Sequence, residues 1–81
     1  MTDERTALIA FLKSRNVLLP EGWDDDTSLV RSGVLDSLAL LELIIWLEER
    51  LGRPIDPTAI ELAEALDSLR DILAFLARQA P

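Results

Sequence analysis

The chain has 81 residues, 49% of them hydrophobic, with 15 acidic and 8 basic side chains and a net charge of −7. This length allows one domain with one small core, and the apolar content is too high for a disordered chain. The negative charge argues against nucleic acid, whose binding needs clustered lysine and arginine. The sequence contains neither cysteine nor histidine, which excludes disulfides, thiolate chemistry and catalysis by imidazole.

The N-terminus is acidic and has no apolar signal region, and the longest apolar run is far too short to span a membrane. We therefore expect a cytoplasmic, monomeric protein that binds neither nucleic acid nor a membrane. We expect a single domain over residues 1–81, because no linker or low-complexity tract interrupts the chain.

The first predicted element is a helix that starts at Asp3, since an acidic side chain is favourable at a helix N-terminus. Leu8, Phe11 and Leu12 then recur at helical spacing, and Asn16 is a plausible end. These three apolar residues are expected in the core.

A long irregular connection follows, over residues 17–36. It carries large apolar side chains that would be costly to leave in water, so we expect them to be packed on the core: Leu18, Leu19, Trp23, Leu29 and Val30. The run Asp24–Asp26 lacks the glycine and the distal glutamate of an EF-hand loop. It predicts a solvated turn and no metal site.

The second helix is predicted to open at Asp36 and Ser37, to run to about Leu51 and to end at Gly52. Pro57 is suited to begin a short third helix over residues 58–63.

A final helix, capped by Asp67 or Ser68, has one apolar face with leucine and isoleucine at helical spacing. No segment has the alternation of a strand. The predicted fold class is all-α, a four-helix bundle with a long first loop and a short third helix.

The second helix is apolar on more than one side. At about 100° per residue, one side is expected in the core: Leu40, Leu43, Ile44, Leu47 and Leu51. Leu41 lies between this side and the opposite one. An apolar stripe with acidic residues falls near the opposite side: Leu38, Glu42, Ile45, Trp46 and Glu49. Because so small a domain cannot cover every side of one helix, the stripe and Leu41 predict a partner-binding face. The alternative is that the loop or other helices cover it.

Asp36 and Ser37 form an acid–hydroxyl pair at the start of this helix. A hydroxyl there lies in positive potential, where a phosphodiester would be favourable. The alternative is that the pair is only a helix cap. The tetrapeptide Leu35–Leu38 recurs as Leu66–Leu69 without the upstream glycine, and for Ser68 we expect a plain cap.

The sequence Gly33-Val34-Leu35-Asp36-Ser37-Leu38, with Glu42-Leu43, Leu47-Glu48-Glu49 and Ile55 after it, resembles the acyl and peptidyl carrier protein family over almost the whole chain. The resemblance implies that Ser37 carries 4′-phosphopantetheine, added from coenzyme A by a phosphopantetheinyl transferase. The terminal thiol would hold an acyl or aminoacyl group as a thioester. The resemblance also implies that Asp36 meets the transferase and its divalent metal.

The chain departs from the fatty-acid carrier pattern at several positions where acidic or polar residues are common: Ala39, Arg50, Arg53, Pro57 and Ala63. It is therefore more similar to a discrete carrier of polyketide or nonribosomal peptide assembly, served by a separate loading enzyme and a downstream transferase or synthase. An enzyme that uses Asp36 and Glu42 is disfavoured, since the chain has no histidine or cysteine and little room for a cleft. An unmodified interaction module that uses the apolar stripe remains the second hypothesis.

Overall fold

The computed structural model describes residues 3–55 and 61–79. In chain order the helices are α1 (Glu4–Ser14), α2 (Ser37–Leu51), α3 (Leu62–Ala65) and α4 (Leu69–Gln79). These residues contain no strand, so the all-helical class is confirmed. No helix among them is long and apolar enough to cross a membrane.

The four-helix bundle is not confirmed. Helices α1, α2 and α4 have 11, 15 and 11 residues, whereas α3, Leu62–Ala65, is a single turn of 4 residues. Most of the third helix predicted over 58–63 lies outside the described residues. Within the described residues the architecture is therefore three helices, with a long loop before α2 and one helical turn before α4.

The helix ends lie close to where the sequence predicts them. The Asp3 carboxylate accepts a hydrogen bond from the Arg5 backbone N–H and caps α1. Helix α2 ends at Gly52, whose φ of 71° is left-handed and whose N–H donates to the Glu48 carbonyl at 2.8 Å. A residue with a side chain would be strained at this position, which explains the glycine.

The core lies where α4 meets the other helices, since α4 contacts α1, α2 and α3. Leucine provides most of it, and the fully buried side chains come from every part of the chain: Leu8, Leu12, Leu29, Leu43, Leu47, Leu66, Leu69 and Ile72. A single core of this size fits the small domain that the length predicts.

The two sides of α2 differ in burial, as the helical wheel predicts. Leu43 and Leu47 are fully buried. On the other side the exposed fractions of Leu38, Leu41 and Ile45 are 64%, 54% and 46%. The outward side of α2 is therefore apolar and open to solvent.

Other residues expected in the core through α2 lie at its edge. Leu40, Ile44 and Leu51 are half-buried and pack against the core without entering it. They flank the line of Leu43 and Leu47, where a narrow core no longer covers the whole helix side.

The expectation that Trp46 is exposed is wrong. Its ring is half-buried and stacks on Phe11 of α1, with 5.3 Å between ring centroids and 29° between ring planes. The Arg50 guanidinium lies 4.9 Å from the centroid of the same ring. The wheel gives the direction in which the side chain leaves α2, but the indole is long enough to reach α1 from there and gain stacking and cation–π contacts.

The long loop is packed on the core at most of the expected positions. Leu29 is buried, and Leu19, Trp23 and Val30 pack partly against the core. Leu18 contradicts the expectation, since it is 85% exposed. Its neighbours Val17 and Leu19 both pack inward, and in extended chain the side chain between two inward residues points outward.

We predict that Leu47→Ala lowers the free energy of unfolding by about 2–5 kcal/mol, because it leaves a cavity in the core. Leu41→Ala is the matched control, on the same helix but exposed, and should change stability by less than about 0.5 kcal/mol. Chemical denaturation of both variants measures the difference. Equal losses would contradict the assignment of the two sides of α2.

Candidate functional site

The two copies of Leu-Asp-Ser-Leu have opposite environments. The first leucine of each, Leu35 and Leu66, is buried. The last leucines differ, because Leu38 is 64% exposed and Leu69 is 1% exposed. The same four residues thus begin a solvent-exposed helix start at α2 and a buried helix start at α4.

The cause is a shift of the helix cap by one residue. In the first copy Asp36 is the cap, and its carboxylate accepts from the Ala39 N–H at 2.8 Å, which makes Ser37 the first helical residue. In the second copy Ser68 is the cap, since its Oγ accepts from the Asp71 N–H at 3.1 Å. Ser68 is only 6% exposed, and its predicted role as a helix cap is confirmed.

Ser37 is exposed at the positive end of a 15-residue helix. Its backbone N–H and that of Leu38 have no hydrogen-bond acceptor within residues 3–55 and 61–79. These groups are among the N–H groups that a helix start leaves unpaired, and they favour an anion nearby. A phosphodiester on the Ser37 oxygen would fit this environment.

Asp67, considered above only as a cap for α4, instead holds the long loop. Its carboxylate accepts from Ser28 Oγ at 3.0 and 3.1 Å, from the Val30 N–H at 2.9 Å and from the Arg31 N–H at 3.0 Å. The Asp67 carbonyl also accepts from the Leu29 N–H. No local pattern indicates this role, because the partners lie 36 to 39 residues away in the sequence.

This cluster also determines the ionisation of Asp67. Desolvation by burial favours the neutral acid, but the hydrogen bonds from Arg31, Ser28 and Val30 favour the carboxylate and outweigh it. The pKa of Asp67 therefore lies below its ordinary value.

The loop then leads directly to the serine. The Leu35 N–H donates to the Leu29 carbonyl at 2.8 Å, so the end of the loop is tied to the part that Asp67 holds. Between them Gly33 has a φ of 83°, a left-handed conformation that favours glycine. The path of the loop into the start of α2 thus depends on the contacts of Asp67.

The acidic run in the loop forms a turn, as expected, but it is not simply solvated. Asp25 accepts two-pronged hydrogen bonds from Arg5, and Asp26 is ion-paired with Arg70. Within the described part of the chain no group of acidic side chains could hold a metal ion. The run therefore serves to attach the loop to α1 and α4.

The predicted partner-binding residues separate into two groups. Leu38, Leu41, Ile45 and Glu49 are exposed on the outward side of α2. Glu42 is half-buried, with its Oε2 3.0 Å from Arg15 Nε. Trp46, as described above, packs on α1.

Comparison with known proteins identifies the family. Residues 16–76 match the family model of the phosphopantetheine attachment site, and the matched part includes both the loop and α2. The chain therefore belongs to this family. Searches of curated proteins and of solved structures gave no match.

Membership of this family means that the protein is a carrier with covalently attached 4′-phosphopantetheine, and not itself an enzyme. When bound, this group supplies a thiol that holds a cargo as a thioester, chemistry for which the chain has no residue of its own. The carrier interacts with a phosphopantetheinyl transferase and with other enzymes. The cytoplasmic location, the monomeric state and the single-domain organisation stay predictions.

We predict that Asp67→Ala destabilises the protein by about 1–3 kcal/mol, because it leaves the part-buried donors of Ser28 and Val30 without their acceptor. Asp67→Asn is the matched variant, and it should cost less, since Oδ1 alone accepts from both Val30 and Arg31. Chemical denaturation at neutral pH checks the order of the three proteins. An Asp67→Ala protein as stable as wild type would show that the cluster does not hold the loop.

The same cluster predicts a pH dependence. Since the folded pKa of Asp67 is lowered, its contribution is complete above the unfolded value of about 3.9 and is lost as the pH falls through the folded value. Wild type should therefore lose more stability than Asp67→Asn between about pH 5 and pH 2. Denaturation curves at several pH values give the unfolding free energy of both proteins as a function of pH. The two proteins would show the same pH dependence if folding did not lower the pKa of Asp67.

Proposed function

We propose that Ser37 is the attachment point of 4′-phosphopantetheine, and that the protein holds an acyl or aminoacyl group in polyketide or nonribosomal peptide assembly. The observation that supports the site most strongly is the contrast within the repeated tetrapeptide. Ser37 is exposed at the first residue of α2, while Ser68 is a buried cap, although both lie in the matched residues 16–76.

The transfer to Ser37 needs little from the chain beyond an accessible oxygen. The Ser37 oxygen forms a bond to the phosphorus that bears the pantetheine, and the pyrophosphate bond of coenzyme A breaks. The nucleotide part leaves, and the serine proton passes to a base on the transferase. The exposed Asp36 keeps α2 capped beside the reacting oxygen, and we propose that it also meets the divalent metal of the transferase.

The role in natural-product assembly rests on residues that differ from the fatty-acid carrier pattern. Arg50 is ion-paired with Glu4 and lies over Trp46, and Arg53 donates to the Gln79 carbonyl and side chain. The C-terminal end of α2 therefore carries cations engaged in contacts within the chain. Pro57, a further difference, lies outside the described residues.

The partner face that we propose for the loading enzyme and for the downstream transferase or synthase is the exposed group Leu38, Leu41 and Ile45, with Glu49 beside it. Burial of these apolar side chains in an interface is favourable, and the acid raises the association rate with a basic partner. Trp46 acts on this face only indirectly, by fixing α2 against α1.

Family membership favours the carrier over an unmodified interaction module that uses the same apolar face. The two hypotheses differ in the mass of the protein from its native host. The mass of a modified carrier exceeds the mass calculated from the amino-acid sequence by one phosphopantetheine, whereas the mass of an unmodified module equals the calculated mass.

We predict that incubation with coenzyme A and a broad-specificity phosphopantetheinyl transferase adds one phosphopantetheine per chain. Ser37→Ala should block the addition, because it removes the accepting oxygen. Ser68→Ala is the matched control from the same tetrapeptide and should still be modified, at a loss of about 1 kcal/mol of stability for the missing cap. Intact-mass spectrometry reads the result, and modification of the Ser37→Ala protein would refute the site.

We also predict that Leu41→Asp and Ile45→Asp melt close to wild type but raise the KM for the carrier in the reaction of its loading enzyme, because an exposed contact is lost on binding. Ala10→Asp, an exposed position on α1, is the control and should leave KM unchanged. Trp46→Asp should instead lower the melting temperature, since its ring is packed on Phe11. If Ile45→Asp unfolded the domain, or if KM did not change, the proposed face would be wrong.

A further inference from the structure

A groove of about 390 Å³ lies beside Ser37, between the end of α1, the loop and the first turns of α2. Its size is within the range of small-molecule sites. Asp36 and Leu38, the residues directly before and after Ser37, both line it. A group attached to Ser37 therefore begins at the edge of this groove.

One wall of the groove has a polar pair with unused hydrogen-bonding capacity. Arg15 Nε is 3.0 Å from Glu42 Oε2, and both residues line the groove. The same oxygen is buried and accepts no well-aligned hydrogen bond from the described residues. The two side chains therefore form an ion pair whose hydrogen-bond geometry is poor, and a well-aligned partner would be favourable for each.

Two large apolar side chains in the lining are exposed to solvent. Leu18 and Leu38 line the groove, and their exposed fractions of 85% and 64% are the two highest among the large apolar side chains described. Val17 and Val34 also contribute to it. Covering these side chains with aliphatic groups would be favourable, because it removes apolar surface from water.

We propose that this groove is the resting site of the phosphopantetheine arm of the same chain; the proposal rests on attachment at Ser37. The arm is a chain of secondary amides with aliphatic segments between them. A secondary amide offers one N–H donor and one carbonyl acceptor, which match Glu42 and Arg15, and the aliphatic segments match Leu18 and Leu38. In the resting state the arm lies against the first turns of α2 and covers Leu38, which also belongs to the proposed partner face.

The test compares the amide spectra of ¹⁵N-labelled apo protein and holo protein, with conversion verified by intact mass. The expected result is a set of shifts at residues far from Ser37 in sequence but within the groove, namely Val17, Leu18 and Val34, with a shift of the Arg15 side-chain Nε–H. Shifts confined to the residues next to Ser37 would overturn the proposal. Shifts that arise only after cargo is attached would assign the groove to the cargo and also overturn it.

Arg15→Gln and Arg31→Gln are the matched variants. Arg31 is ion-paired with Glu64 and lies outside the groove residues. In holo Arg15→Gln the shifts at Leu18 and Val34 should fall to less than about half of the wild-type size, since the charge beside Glu42 is lost. Holo Arg31→Gln should match wild type, and the apo spectra of both variants verify that each is folded. If the shifts at Leu18 and Val34 were equal in both variants, the proposed contact of the arm with Arg15 would be refuted.

The two proposals fail in different ways. If no variant and no wild-type protein gains the mass of one phosphopantetheine, attachment at Ser37 is refuted, and the groove proposal falls with it. If the mass rises on Ser37 and the groove amides do not move, only the groove proposal is refuted.

Discussion

The carboxylate of Asp67 is the interaction on which the rest of the structure depends. It accepts hydrogen bonds from Ser28, Val30 and Arg31, and thereby brings the middle of a long loop to the start of α4. Leu29, between these donors, is buried in the core as a result. Ordering a long loop is costly in conformational entropy. The hydrogen bonds to the ionised Asp67 and the burial of Leu29 offset this cost.

How far the fold could be predicted depended on the distance of each interaction along the chain. Helix ends were predictable because caps act within three or four residues, as at Asp36 and Gly52. The Asp67 cluster was not, since its donors are distant and a short polar side chain before a helix predicts a cap equally well. Trp46 was misplaced because a wheel describes where a side chain leaves the helix, whereas its contact with Phe11 depends on its length.

Within the candidate site, the serine and its flanking acid were predictable, because an Asp-Ser pair after a glycine at a helix start is a local pattern. The arrangement of charge around it was not. Among residues 3–55 and 61–79, five arginines form ion pairs, with Asp25, Glu42, Glu64, Glu4 and Asp26. Since most of the cations are thus engaged, the net charge of −7 is presented to partners by acids such as Glu49, which favours encounter with basic surfaces.

The place of Ser37 in the first turn of α2 fixes the attachment point of the arm relative to the core. A residue in a loop could swing with the loop, but Ser37 is continuous with a helix whose middle, at Leu43 and Leu47, is fully buried. The anchor of any attached arm therefore cannot move relative to the core unless α2 unwinds. The reach of a cargo into successive active sites must then come from the length of the arm and the tumbling of the whole domain, and the domain itself need not deform.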